Sequence, residues 1–132
     1  MDAATREFVR RRAGERCEYC RLSQVHNELR HHVEHIIAKQ HGGSDDADNL
    51  ALACHRCNLR KGPNLTGIDP QTGEIARLFH PRRDQWSDHF VAQDVRIMGI
   101  SAIGRATVHV LDLNDARRLE LRAEILKAAG SI

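Results

Sequence analysis

The segment HHVEHIIAKQHGG, residues 31–43, holds four histidines and one glutamate in thirteen positions. Imidazole can move a proton near neutral pH or bind a metal, and a carboxylate can bind a hard cation. The β-branched residues of HHVEHII predict a short strand. On an ideal strand His32 and Glu34 share one face, with His31, Val33 and His35 on the other. Alternation alone would therefore pair His32 with Glu34 and send Glu34 and His35 to opposite sides. Spacing leaves the choice of site residues open. A lone strand histidine is more often packed or solvated than a ligand, so the neighbours of this segment have to decide.

Those neighbours are cysteines. Cys17 and Cys20 form one CxxC pair, and Cys54 and Cys57 form another. A two-residue spacer lets both thiolates of a pair face one ion, and two pairs complete a tetrahedron around zinc. Four thiolates leave no open position, so this zinc is expected to be structural. Free thiols or a redox pair fit two matched pairs poorly. The stretch between the pairs is longer than in a minimal zinc ribbon. The His-rich strand thus lies in an insertion whose two ends are anchored.

The elements that must position these residues follow from pattern and punctuation. A first helix is expected over about Thr5–Ala13, with Phe8 and Val9 on its apolar side and Gly14 as its stop. LALAC reads as a second strand, and CHRCNLRKG opens a helix ending at Gly62. GIDPQTGEIARLF reads as a turn and then a strand. HPRRDQWSDHF holds one helical turn, and VRIMGI is a strand. Ser101 can cap a helix over SAIGRATVHVLDLN. Asn114 is expected to cap a final helix with Leu119, Ala123 and Leu126 on one face and Gly130 at its end.

With 132 residues the chain fits a single domain, with a core at about 14–65 and an extension at about 66–132. Only 4% of residues are aromatic, which argues against binding by many stacked bases. The net charge of +2 permits a nucleic-acid partner without demanding one. No apolar run approaches the roughly 18 residues of a membrane span, and no secretory signal is visible. A cytoplasmic location is the expectation, and nothing speaks to oligomeric state.

HVEHI, GGSDDADNL and CHRCN, in this order and spacing, resemble the three parts of the HNH (His-Me finger) endonuclease family. The resemblance spans roughly Arg16 to Gly62. It implies an α+β fold with a ββα-metal core, two short antiparallel strands and a helix around one catalytic metal. It also implies roles. Glu34 would bind the metal, His35 would be the general base, Asn49 would brace the loop and help orient the base, and Asn58 would be the second metal ligand. His32 is a possible supporting group behind these. Asn58 stands where many members have His, and Ala38 where a proline often follows. Oxygen ligands suit magnesium or manganese. The implied activity is metal-dependent hydrolysis of DNA phosphodiesters at low sequence specificity, with RNA left open as a substrate. The alternative is a zinc-stabilised nucleic-acid-binding module without catalysis. Arg60 and Lys61, after Asn58 on the same helix, are the expected phosphate contacts. Arg10–Arg12 and Arg82–Arg83 are further basic clusters that could contact phosphates or form a solvated face, and for Arg10–Arg12 the two readings weigh equally.

Overall fold

The computed structural model describes residues 1–129. The chain divides into two compact units, one of residues Met1–Leu65 with His80–Asp84, the other of Thr66–Phe79 with the residues from Gln85 onward.

In the first unit, helix α1 runs Ala3–Arg12, with the Asp2 carboxylate accepting from the Thr5 amide as its N-cap. Strands β1 (His32–His35) and β2 (Leu50–Ala53) pair antiparallel, with Glu34 opposite Ala51 and His35 opposite Leu50. Helix α2 (His55–Lys61) follows at once and ends at Gly62. Val9, Leu50 and Leu52 form the apolar centre, with Ala13 and Val33 against it. Phe8 does not join them. It is half exposed, and the Arg12 guanidinium lies 5.2 Å from its ring centre. This is the α+β, ββα arrangement that the sequence implies.

The second unit opens on a hairpin, β3 (Thr66–Ile68) and β4 (Ile75–Arg77). Sequence reading anticipated only the second of these strands. One helical turn, α3 (Trp86–His89), leads into β5 (Phe90–Gln93), which pairs with β6 (Arg96–Gly99). Strand β5 was not anticipated, because Phe90, Val91 and Ala92 run together without polar alternation and only Phe90 is buried. Helix α4 (Ala102–Val110) starts at Ser101, whose hydroxyl accepts from the Gly104 amide. A Cβ at Gly104 would stand 1.9 Å from the His89 carbonyl oxygen, so only glycine permits this approach of α4 to α3.

Helix α5 (Ala116–Ala129) corrects two expectations. Its first-turn amide at Arg118 is capped by Asp115 and not by Asn114. The Asn114 side chain instead bonds both the amide and the carbonyl of Ile97. The buried stripe is Arg118, Arg122 and Ile125, while Ala123 is exposed. The arginines are drawn inward because buried carbonyls need donors. Arg118 donates to the Leu111 oxygen at 3.0 Å, and Arg122 to that of Leu113 at 2.6 Å. The expected stop at Gly130 lies outside the described residues.

Asp69 ties the β3–β4 turn to α4. It accepts from Arg105 Nε and Nη2, both at 2.9 Å, and from the Gln71 amide. The Arg105 bonds hold its carboxyl down at about 2, against an ordinary 3.8. The pair's contribution to stability is thus complete above the ordinary value and is lost as pH falls through about 2. Asp69→Asn should lower the melting temperature at neutral pH and flatten its decline in acid. Melting curves taken across that acid range check this, and an unchanged profile would refute it.

Candidate metal and catalytic site

The sulfurs of Cys17, Cys20, Cys54 and Cys57 all lie within 4.8 Å of one another, and all four residues are buried. Tetrahedral zinc with bonds of about 2.3 Å sets its sulfurs about 3.8 Å apart. The Cys20 and Cys54 sulfurs stand at 3.7 Å. Each knuckle also turns an amide onto its first sulfur, Cys20 N–H to Cys17 and Cys57 N–H to Cys54. Burial pushes the Cys17 and Cys57 thiols well up, away from ionisation. A dication at the centre reverses that balance, since a coordinating thiol is deprotonated outright. The cluster therefore fits a structural zinc.

The knuckles fix the strands. The Glu18 amide donates to the Leu52 carbonyl and the Leu52 amide to the Glu18 carboxylate, both at 2.8 Å, so the first knuckle is stitched to β2. Arg82 closes on the other Glu18 oxygen, which removes it from the pool of phosphate-facing cations. Cys54 is the N-cap of α2, so the second thiolate pair sets where that helix begins.

β1 ends at His35, and the chain then bends away. A hollow of about 420 Å³ at this end is lined by His32, Glu34, His35, Lys39 and Asn58, among others. Glu34 and His35 reach one hollow because the strand stops there. The contradiction posed by ideal alternation is thereby resolved.

Glu34 is buried, and burial raises its carboxyl above the ordinary range, with Lys61 opposing. Lys61 Nζ lies 3.2 Å from Glu34 Oε2 and donates to the carbonyls of Ile36 at 2.8 Å and His35 at 3.3 Å. Lys61 is only 2% exposed. It cannot present its charge to a phosphate, so that expectation is corrected. The sequence did hold a signal, because Lys61 follows the zinc ligand Cys57 by one helical turn and shares its buried face. Arg60 remains exposed at the end of α2. Glu34 Oε1 is buried, and the buried Tyr19 hydroxyl is a further neighbour that favours the ionised carboxylate.

His35 Nε2 lies 2.7 Å from Asp45 Oδ1, and Lys39 holds the other Asp45 oxygen at 3.2 Å. The contact with His35 holds the Asp45 carboxyl below the usual range. Asp45 was missed because it stands in a run of loop-forming residues without periodicity. Asn49 does not touch His35. Its amide donates to the carbonyls of Ile37 and Ser44 and accepts from the Ile37 amide. It braces the loop that carries Asp45. Gly43 is packed into this brace, where a Cβ would stand 1.7 Å from the Ile37 oxygen.

The other histidines divide. His32 is exposed and contacts His55 Nδ1 at 3.3 Å. His31 is buried, with Nε2 donating to the Leu22 carbonyl. His41 Nε2 lies 3.1 Å from the Pro63 carbonyl. The arginine triplet is mostly structural. Arg10 donates to the His31 carbonyl, Arg12 to those of Ala47 and Leu50, and Arg11 pairs with Glu7.

Residues 17–64 match the family model described as HNH endonuclease. Over those residues the chain is similar to the HNH endonuclease family. The match starts at the first zinc cysteine and ends three residues beyond Lys61, so it encloses both strands and α2. HNH domains point to nuclease or nucleic-acid-binding function. No curated protein and no solved structure matches the chain. No helix among the described residues is long and apolar enough to cross a membrane.

Lys61→Ala leaves the buried Glu34 charge uncompensated and should cost about 3–5 kcal/mol of stability, the range for a broken buried pair. Arg60→Ala should cost under about 0.5 kcal/mol, as for an exposed position. Denaturant titration of both variants checks the contrast, and equal small losses would refute the buried role of Lys61.

Proposed function

We propose that the HNH domain is a metal-dependent endonuclease that hydrolyses phosphodiester bonds of DNA. The observation that carries this reading is the convergence of His35, Glu34 and Asn58 on one hollow. Glu34 and Asn58 would hold one divalent cation, and their oxygens favour magnesium or manganese over softer ions. Such an ion, when bound, supplies charge stabilisation at a phosphoryl oxygen and at the leaving oxygen.

The rest of the chemistry falls to the chain's own groups. In the neutral imidazole the nitrogen facing a carboxylate carries the proton, so Asp45 assigns that proton to Nε2 of His35. Nδ1 is left with the lone pair and accepts a proton from the attacking water. Asp45 then faces the imidazolium that forms and stabilises it. Asn49 acts at one remove, by holding the Ser44 carbonyl next to Asp45. Lys61 lowers the cost of keeping Glu34 ionised in a buried place. Of the two expected phosphate contacts, Arg60 is the one that remains a candidate. We assign His32, which lines the hollow, a supporting place there. No further element of the domain suggests base reading, so low sequence specificity follows from this proposal.

A second reading has one observation in its favour. The Lys61–Glu34 ion pair already neutralises the carboxylate, as a non-catalytic, zinc-stabilised nucleic-acid binder would require.

Supercoiled plasmid separates the two. The wild type should nick it only with added magnesium or manganese. His35→Ala should retain DNA binding and lose cleavage by about 10²–10⁴-fold. Asp45→Ala should lose less, and Asp45→Asn less again. Full cleavage by His35→Ala would remove it as the base, and absence of cleavage by the wild type under every divalent ion would favour the binding module.

A further inference from the structure

A second hollow, of about 600 Å³, lies on the first unit between α1 and β1. Arg6, Arg10 and Arg30 line it, together with His31, His32 and Val33. His32 and Val33 also line the hollow at Glu34, so the two adjoin along β1. We propose that this second hollow is a binding site for a backbone phosphate of the nucleic acid, one that holds the strand beside the reacting position.

Two independent observations point to an anion there. The first is the charge. Three arginines face one space, and the only acid lining it among the described residues, Glu7, is turned to Arg11 at 2.8 Å. Like charges gathered without a counter-charge are unfavourable, and Arg10 shows it. Its guanidinium is pushed below the ordinary arginine value by burial first and by Arg30 next. The second is an orphan donor. Arg10 is 8% exposed, its Nη2 donates to the His31 carbonyl, and its Nη1 is buried without a hydrogen-bond partner. A buried donor on a cation leaves a large penalty unless an acceptor meets it. A phosphate oxygen is the acceptor that matches, because a guanidinium can bind it with two parallel N–H groups.

The division of labour among the three arginines follows from their burial. Arg10 is fixed by its bond to the His31 carbonyl, just before β1, and sets the position of the anion. Arg6 and Arg30 are exposed and supply charge that can close on it. The low aromatic content fits this mode, since binding through phosphates needs no stacking platform. The inference rests on the nucleic-acid substrate of the proposed function but not on catalysis.

The test uses the full chain carrying His35→Ala, so that binding is read without cleavage. Duplex DNA binding is followed by fluorescence anisotropy across a range of salt. Arg6→Ala with Arg30→Ala, both at exposed positions, should weaken binding at least tenfold. The slope of log affinity against log salt should become shallower by about 0.9 for each phosphate that the variant no longer neutralises. Arg10→Lys keeps a cation and a donor for the His31 carbonyl, and should fold and bind at intermediate strength. An unchanged affinity and slope in the double variant would overturn the site. So would a site that takes inorganic phosphate in competition while DNA affinity does not respond, because the ligand would then be free phosphate. Absence of cleavage by the wild-type chain, with this binding intact, would instead count against the catalytic reading alone, and the proposed site would stand.

Discussion

Convergence of four cysteine sulfurs on one point is the constraint on which the first unit depends. β1 and β2 are only four residues each, and a two-stranded ribbon of that length is marginal by itself. Cys17 and Cys20 hold the approach to β1, and Cys54 and Cys57 hold the exit from β2 into α2. The loop between the strands is then closed at both ends, so the cost of ordering it is shared with metal binding. Every group of the candidate site hangs from this frame. Glu34 and His35 end β1, Asn49 precedes β2, and Asn58 and Lys61 lie on the helix that Cys54 caps.

Within the frame, electrostatics decide which groups face the hollow. A buried carboxylate is costly unless charge and hydrogen bonds compensate it. Lys61 compensates one oxygen of Glu34, and the same ammonium gathers the carbonyls of His35 and Ile36, where β1 ends. One cation thus shapes the strand terminus and holds one oxygen of the carboxylate that lines the hollow. On the other side Asp45 and Lys39 form a surface pair that fixes His35. The imidazole and the carboxylate are neighbours in sequence, yet each has its own charged partner drawn from a different element. We read this separation of partners as what lets adjacent residues take distinct parts in one reaction.

Much of this was legible in the chain itself, for physical reasons that differ by residue. The CxxC spacing identifies the metal frame because thiolate geometry admits few alternatives. The strands and α2 follow from β-branched runs, turn residues and Gly62. The charged side chains were harder. Arg12, Lys61 and Arg82 all look like surface cations in sequence, and all three are spent on carbonyls or carboxylates within the first unit, while Arg10 gives one of its two terminal nitrogens to the His31 carbonyl. Long stems allow such groups to reach inward, and their targets are distant in sequence, so no local pattern announces them. Asp45 was hidden for a similar reason, since its partner lies ten residues away across a loop. Asn114 and Asp115 show the limit at its finest. Both are good caps, and only the contact with Ile97 decides which one the helix receives.

The central claim is that a zinc frame positions a second, hard-ion site at Glu34 and Asn58. Manganese titration followed by electron paramagnetic resonance, with zinc measured in the same samples, tests it most directly. One bound manganese per chain, in addition to zinc, is the predicted result. Glu34→Gln and Asn58→Ala should each lose the manganese and keep the zinc. Manganese bound equally well by both variants would contradict the claim.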